Sequence, residues 1–442
     1  MLLEFRASNY KSFGEELVFS MIPAPKQKGL DYSVLKARAG GKGYKALCSS
    51  VIYGPNASGK TNIIGAMEVF KAIVLRGHIR DVEEAKEANA AVHTLGLIPN
   101  SRDPEHRPVS FSLKFIEQDL LIEYAFSIDL GTFLAYDHKR RILSEELKID
   151  ERPIFSRKES RKIDRINAFG DYFPKEYTKN AEGALKLASS NLNDQELFLV
   201  NGFKNVFSQK LAAMIVSWLV NKLMIFYRAD AVHAAPAIND IEENNFMFIE
   251  LLNNAAAHFG AKSEKIGYTR DSNDNQTKLC TAVAMNGRKA LVIPADTYES
   301  YGTIRFMNIF PLIRVALLEG GTLVMDEFDA SIHPMAIMNI INIFHNDEIN
   351  VNGAQLIFNT HNPIFLNANL FRRDEIKFVE RDEESGISEV YSLADFGTAG
   401  RSGVRKNEDY MKNYFVDRYG AIRDVDFAPF LENFSQSEGE RR

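Results

Sequence analysis

The stretch GPNASGKT, Gly54 to Thr61, limits the folds open to this chain more than any other. It matches G-x-x-x-x-G-K-S/T at every fixed position. It follows the apolar run ALCSSVIY and leads into KTNIIGAMEVFKAIVL, where Ile63, Ile64, Met67 and Phe70 recur at helical spacing. A strand, a glycine-rich loop and a helix in that order predict an α/β core with a phosphate-binding loop. Gly54 and Gly59 let the backbone close around phosphate oxygens. Pro55, Asn56, Ala57 and Ser58 form the wall of the loop, whose exposed amides and helix N-terminus attract an anion. Lys60 reaches the β- and γ-phosphates, Thr61 offers a hydroxyl to Mg²⁺, and Asn62 completes the set. The ligands expected are ATP and Mg²⁺. The alternative is a glycine-containing turn that matches by chance.

A second cluster lies far downstream. In TLVMDEFDASIHP, the apolar run Thr322 to Met325 leads into Asp326 and Glu327. Two carboxylates at the end of a buried strand are costly unless a cation or water uses them. Asp326 is therefore the expected metal-supporting residue, with Thr61. Glu327 is the expected general base toward the attacking water; the alternative is a solvated acidic turn. The next strand candidate, AQLIFNTH, ends at His361, placed to sense the γ-phosphate or to orient the water. A structural histidine is the competing reading.

Between these clusters stands ESYGTIRF, Glu299 to Phe306. In ATPases that act as facing pairs, a Ser-x-Gly helix start from one copy meets the γ-phosphate held by the other. Ser300 and Gly302 have that spacing, and Thr303 adds a hydroxyl. Arg305 either pairs with phosphate or braces the loop. The plain alternative is an N-cap serine before an amphipathic helix.

Composition excludes other classes. The formal charge of -6 gives no global basic bias toward nucleic acid. The two cysteines, Cys48 and Cys280, make neither a metal spacing nor a disulfide framework, which favours a reducing cytoplasm. The start, MLLEFRASNYKSF, is charged by residue 4 and is no signal peptide. The run Leu211 to Val220 is too short for a bilayer, so no membrane is expected.

Four units are expected. Residues 1–150 form an N-terminal ATPase lobe rich in β-strands, with the phosphate loop. Residues 151–290 form a helical insertion, an arm or lid, with returning strands. Residues 291–398 carry the Ser300, Asp326 and His361 motifs. Residues 399–442 form a C-terminal cap and tail. The charge run SRKESRKIDR reads as a solvated loop or a nucleic-acid grip. Asp424 and Asp426 invite a nuclease reading that finds no upstream carboxylate partner. Gln118, in a polar turn, is a weak candidate for the glutamine loop of transporter ATPases. Lys11 and Ser12 belong either to a loop beside the nucleotide or to an exposed hairpin.

The pieces NYKSF, YGPNASGKTN, SYGTIRF, MDEFDASIHP, FNTHNP and YFVDRYGAI, spread over nearly the whole chain, resemble the head of ABC-type ATPases of the SMC and RecF branch. Within it they are most similar to the RloA/AbiL-like ATPases of bacterial phage defence, related to the ATPase domain of OLD proteins. The resemblance implies a homodimer, or an assembly of dimers, with ATP between Lys60 of one copy and Ser300, Gly302 and Thr303 of the other. It makes Ala330 to His333 the loop that crosses the interface, with His333 where many relatives have aspartate. OLD proteins carry a nuclease domain after the ATPase, whereas about 80 residues follow His361 here. Control of a separately encoded effector, a nuclease among the options, and a phage protein as trigger are thus expected. Nucleic acid stays open as a partner. The rivals are a DNA-repair head that binds duplex DNA and the nucleotide-binding subunit of a transporter.

Overall fold

The computed structural model describes residues 1–80, 96–227 and 246–428, apart from 26, 28, 104, 134–137, 159–161, 175–179, 262–264, 271–276, 286–287, 399–402, 406–407 and 424–425. The fold is α/β. Its N-terminal lobe is a seven-stranded antiparallel sheet. The strands are β1 (Leu2–Ser8), β2 (Leu17–Ser20), β6 (Val109–Glu117), β7 (Leu120–Asp129), β8 (Arg141–Ile149), β9 (Arg152–Lys158) and β10 (Lys162–Ile166). They lie side by side in the order β10-β9-β8-β7-β6-β1-β2. Burial alternates along β6 and β7, as in a sheet with one face in the core and one toward water. Position 151 is not a break in this sheet. The hairpin β8–β9 turns through Asp150 and Glu151, both left-handed with φ 50° and 67°, and β9 and β10 carry the pairing on to Ile166.

The inserted helices close over the buried face of this lobe. Ser208 caps the helix Gln209–Asn221 by accepting from the amide of Leu211. Trp218 of that helix stacks on Phe115 with centroids 4.0 Å apart. From the phosphate-loop helix, Lys60–Arg76, Phe70 stacks on Phe126 at 5.3 Å. Aromatic pairs of this kind add to the burial of their own area.

The second sheet has six strands in the order β11-β16-β17-β5-β18-β19. They are β5 (Ser49–Tyr53), β11 (Leu223–Phe226), β16 (Thr322–Met325), β17 (Gln355–Asn359), β18 (Ile376–Arg381) and β19 (Ser388–Ser392). All pairings are parallel except β18 with β19. The runs SSVIY, TLVM and QLIFN are buried at every position, the signature of parallel strands covered on both faces. Parallel strands deliver their C-terminal ends to one edge, which is where ligands bind in such sheets. The ends of β5, β16 and β17 are the phosphate loop, Asp326–Glu327 and Asn359–His361. Residues far apart in sequence meet for that reason.

The helices Tyr301–Glu319 and Pro334–His345 build the second core with this sheet. Tyr301–Glu319 has the length and apolarity of a membrane span, yet Phe306, Met307, Ile309, Ile313 and Ala316 lie buried in that core. A four-stranded antiparallel sheet, β12 (Met247–Phe248), β13 (Lys265–Arg270), β14 (Thr277–Met285) and β15 (Arg288–Pro294), stands beside it. Its helix, Glu250–Phe259, stacks Phe259 on Phe306 at 4.3 Å. A small hairpin, β3 (Val34–Ala39) with β4 (Lys42–Leu47), leads into β5. The helix Tyr410–Phe415 covers β18, with Tyr414 stacked on Phe378 at 5.9 Å. The tail SQSEGERR lies outside the described residues.

Gln355, fully buried at the start of β17, joins the two large sheets. Its Oε1 accepts from the amide of Leu2 at 2.7 Å and from the Thr322 hydroxyl at 3.1 Å. Its Nε2 donates to the carbonyls of Leu2 at 3.1 Å and Leu47 at 3.0 Å.

Candidate functional site

The phosphate loop leaves β5 and enters the helix that starts at Lys60. Gly59 sits at φ 112°, and a Cβ there would lie 2.7 Å from Ser12 Oγ and 2.8 Å from Ser388 Oγ. Only glycine fits this turn between two serines. The serines form a clasp around the loop. Ser388 Oγ donates to the Ser58 carbonyl at 2.6 Å, Ser388 N donates to the Ser12 carbonyl at 2.8 Å, and Asn62 Nδ2 donates to Ser12 Oγ at 2.8 Å. Ser12 thus lies beside the loop and is buried, in favour of the nucleotide-loop reading over an exposed hairpin.

Lys60 is 6% exposed, and its ammonium donates to the carbonyls of Gly54 at 2.7 Å and Pro55 at 2.9 Å. Burial pulls its pKa down to about 8, against the opposing pull of Asp326 and Glu327. Among the described residues, Ser58 Oγ is buried without a hydrogen-bond partner. A buried cation hydrogen-bonded to neutral carbonyls and an orphaned hydroxyl in the same loop suit an anionic phosphate. Asn56 and Ala57 are exposed at the tip of the loop. A cleft of about 550 Å³ flanks it, lined by Asn56, Ala57, Arg102, Arg381 and Arg423 among others, within the range of small-molecule sites.

At the end of β16, Thr61 Oγ1 donates to Asp326 Oδ1 at 3.2 Å. The two residues expected to hold the metal are therefore joined, and Asp326 is only 5% exposed. A hydroxyl beside a carboxylate is the oxygen donor set that Mg²⁺ takes alongside phosphate. Glu327 is exposed and left-handed at φ 49°. Asn359, at the end of β17, accepts from the Glu327 amide at 2.5 Å and donates to Asp326 Oδ1. Partial burial, then the Lys60 ammonium, lowers the pKa of His361, with Asp326 opposing. That shift favours the neutral imidazole, which donates at one nitrogen and accepts at the other.

Ser300 caps the helix Tyr301–Glu319, its Oγ accepting from the Thr303 amide at 3.1 Å and lying 2.8 Å from Thr303 Oγ1. Gly302 packs against the Asp329–Ile332 turn, where a Cβ would come within 2.5 Å of the Ser331 carbonyl oxygen. Arg305 is 4% exposed and donates to the Glu327 carbonyl at 2.5 Å. Of its two expected roles, it takes the bracing one here. Among the described residues, no hydrogen bond links Ser300, Gly302 or Thr303 to the phosphate loop of the same chain. His333 caps the helix Pro334–His345 through Nδ1, which accepts from Met335 at 3.2 Å.

The remaining candidates fall elsewhere. Gln118 is in the β6–β7 turn at φ 48°. The adjacent Glu117 pairs with Lys222 at 2.9 Å, just before β11, at the end of the sheet opposite Asp326. The charge run is no simple solvated loop. It is the β9–β10 hairpin, and Arg157 within it is fully buried, bonded to Glu145 and to the carbonyls of Glu196 and Asn193. The pleat of β9 explains this, because Arg157 lies two residues from Phe155 on the same face and both are buried. Asp424 lies outside the described residues, and Asp426 is exposed. Asn359 and Ser388 are the site residues that sequence reasoning missed. FNTHNP, ending the strand next to the acidic one, carried a signal for Asn359. Nothing local marked Ser388.

Residues 49–367 match the family described as AAA domain, putative AbiEii toxin, Type IV TA system. Among solved structures, the chain is similar to the SMC head domain from Thermotoga maritima, at 14% identity and a TM-score of 0.36 over 88% of this chain and 98% of that one. It is also similar to the Smc head domain with an extended coiled coil bound to the C-terminal domain of ScpA from Pyrococcus furiosus, at 13% identity and a TM-score of 0.36 over 88% and 96%. No curated protein matches it.

Proposed function

The chain belongs to this AAA-domain family of P-loop nucleotide-binding proteins, and from that membership we propose that it is an ATP-hydrolysing switch with an ABC-type head, working as a pair of copies. The observation that carries the reading is the single sheet edge where the Lys60 loop, the Thr61–Asp326 pair, Glu327 and His361 converge. Thr61 and Asp326 would hold Mg²⁺, which when bound neutralises charge that develops on the β- and γ-oxygens. Lys60 and the loop amides grip the phosphates. Glu327 accepts a proton from the attacking water, and neutral His361 orients it.

The other half of the site comes from a second copy. Ser300 and Thr303 present hydroxyls and helix amides that, among the described residues, no hydrogen bond ties to the phosphate loop of the same chain. ATP then acts as interface glue between two heads, and hydrolysis releases it.

In the cell this switch controls a separately encoded effector in phage defence, set off by a phage component. The resemblance of SYGTIRF, MDEFDASIHP and FNTHNP to phage-defence ATPases supports this role. Nucleotide controls a partner only if the partner binds the two states unequally. A ~100-fold difference corresponds to about 2.7 kcal/mol, within reach of one interface hot spot. The test is co-expression with the product of the neighbouring gene, with plaque counts and complex formation as readouts. Protection is expected only with both genes, and is lost with Lys60→Ala or Glu327→Gln. Full protection by this chain alone, or equal partner affinity with and without ATP, refutes the switch.

A further inference from the structure

Strand β17 reads QLIFN and is buried throughout, so its last residue brings a carboxamide into an apolar layer. Asn359 is 2% exposed. A buried carboxamide is costly unless both its ends are bonded. Here both are, and each bond goes to a neighbour in the nucleotide site. The Glu327 amide can only donate, so it must face Oδ1; Nδ2 is left to donate to Asp326. The parallel register sets this up, because Met325 is paired with Phe358 and the next residue on each strand leaves the sheet beside the other.

We propose that Asn359 is the positioning residue of the acidic pair: one planar amide fixes the carboxylate of Asp326 and the peptide that carries Glu327. This inference rests on the reading of the site as a Mg²⁺·ATP site. Two donors, Thr61 Oγ1 and Asn359 Nδ2, converge on the same atom, Asp326 Oδ1. They set the rotation of the carboxylate and so the direction in which its other oxygen faces. At the other end, Asn359 Oδ1 holds the Glu327 amide while Arg305 holds the Glu327 carbonyl. A left-handed residue gripped at both peptide groups keeps its strained φ, and the direction of its side chain follows. The side-chain amide of asparagine supplies an uncharged donor and acceptor on one rigid plane, and glutamine carries the same amide one methylene too far for this gap.

Asn359→Leu keeps the size and loses both bonds. Asn359→Gln keeps both amide groups and displaces them by one methylene. ATP affinity would be measured by calorimetry with and without Mg²⁺, alongside turnover. For Asn359→Leu we expect metal-free ATP affinity as in the wild type, with a ~10- to 100-fold loss in the Mg²⁺ response and in kcat, the usual range for groups that orient metal ligands. For Asn359→Gln we expect a loss in the same two readouts, with metal-free affinity again unchanged.

A Leu variant with unchanged Mg²⁺ response and kcat overturns the proposal. So does a Gln variant with both readouts unchanged. If the Leu variant does not fold, the Gln variant decides. Failure of the underlying reading shows in the wild type itself. A wild type that binds Mg²⁺·ATP without turnover defeats hydrolysis alone, and the calorimetric arm still decides Asn359. A wild type that binds no ATP defeats both.

Discussion

The guanidinium of Arg305, a residue only 4% exposed, donates to the backbone carbonyl of Glu327 at 2.5 Å, in the Asp326–Ile332 turn. The helix that starts at Ser300 is therefore fastened to the proposed base of its own chain. One turn earlier on the same face of that helix, Gly302 rests against the Ser331 carbonyl. The surface proposed to face a neighbour and the proposed base thus share one support.

That shared support makes Ser300 testable in trans. Ser300→Arg should leave ATP binding by a single head intact and abolish hydrolysis, because a bulky cation blocks approach of the helix N-terminus to phosphate. Mixed with Lys60→Ala protein, it forms dimers in which one composite site carries both lesions and the other carries neither. ATP-dependent heterodimers should appear, with partial activity if one site fires alone. Absence of both, with subunit exchange verified, would reduce Ser300 to an ordinary N-cap.

Lys60→Ala should remove most ATP binding and keep the fold. In the wild type, burial holds the ammonium at about 8, below its ordinary value. Bound phosphate favours the charged form and raises that pKa again. ATP binding should therefore take up a proton near pH 8, and affinity should fall as pH rises through that value. Calorimetry in two buffers of different ionisation enthalpy measures both effects. Affinity that is flat across this range, with no buffer dependence, contradicts the assignment.

Glu327→Gln should bind ATP and turn it over at least ~100-fold more slowly, the low end for a general base. The backbone of residue 327 is held by Asn359 and Arg305, so the side-chain swap should not move it. The closed pair should accumulate and be visible by light scattering with ATP. Normal turnover would pass the role to His361.

Arg157→Leu leaves Glu145 as a buried carboxylate that still accepts from the amides of Phe198 at 2.6 Å and Leu199 at 2.8 Å. Breaking such a pair costs about 3–5 kcal/mol. Burial already raises the Glu145 pKa, and Arg157 opposes that rise. Losing the arginine lifts the folded pKa further above the unfolded one. The variant's deficit should therefore be largest at neutral pH and shrink as pH falls toward the carboxylate range. Urea unfolding at two pH values checks this, and a deficit independent of pH would argue that lost packing dominates.

The convergence of the candidate site was legible because its residue types are local and contiguous. Gly54 to Asn62, Asp326–Glu327 and His361 each end an apolar run, and parallel pairing of those runs does the rest. The resemblance of several motifs to known heads supplied the facing-pair geometry, which no spacing within one chain could show. Ser388 was invisible because its role depends on β19 lying next to β18 and on the Ser12 loop reaching it from the other end of the chain. Arg157 misled for the opposite reason. Its neighbours in sequence are charged, whereas its neighbours in space are the Glu145 carboxylate and two carbonyls. A charge run says nothing about which member points inward once it is pleated into a strand.

The four bonds of Gln355 have a kinematic consequence. One carboxamide fastens Leu2 of β1, Leu47 of β4 and Thr322 of β16, so shear of the antiparallel sheet over the parallel one must break its bonds. The smaller body of β12–β15 and its helix Glu250–Phe259 meet the helix Tyr301–Glu319 through apolar packing, Phe259 on Phe306 within it. Apolar faces can slide where a bonded amide must first break, so the two seams of the protein differ in kind.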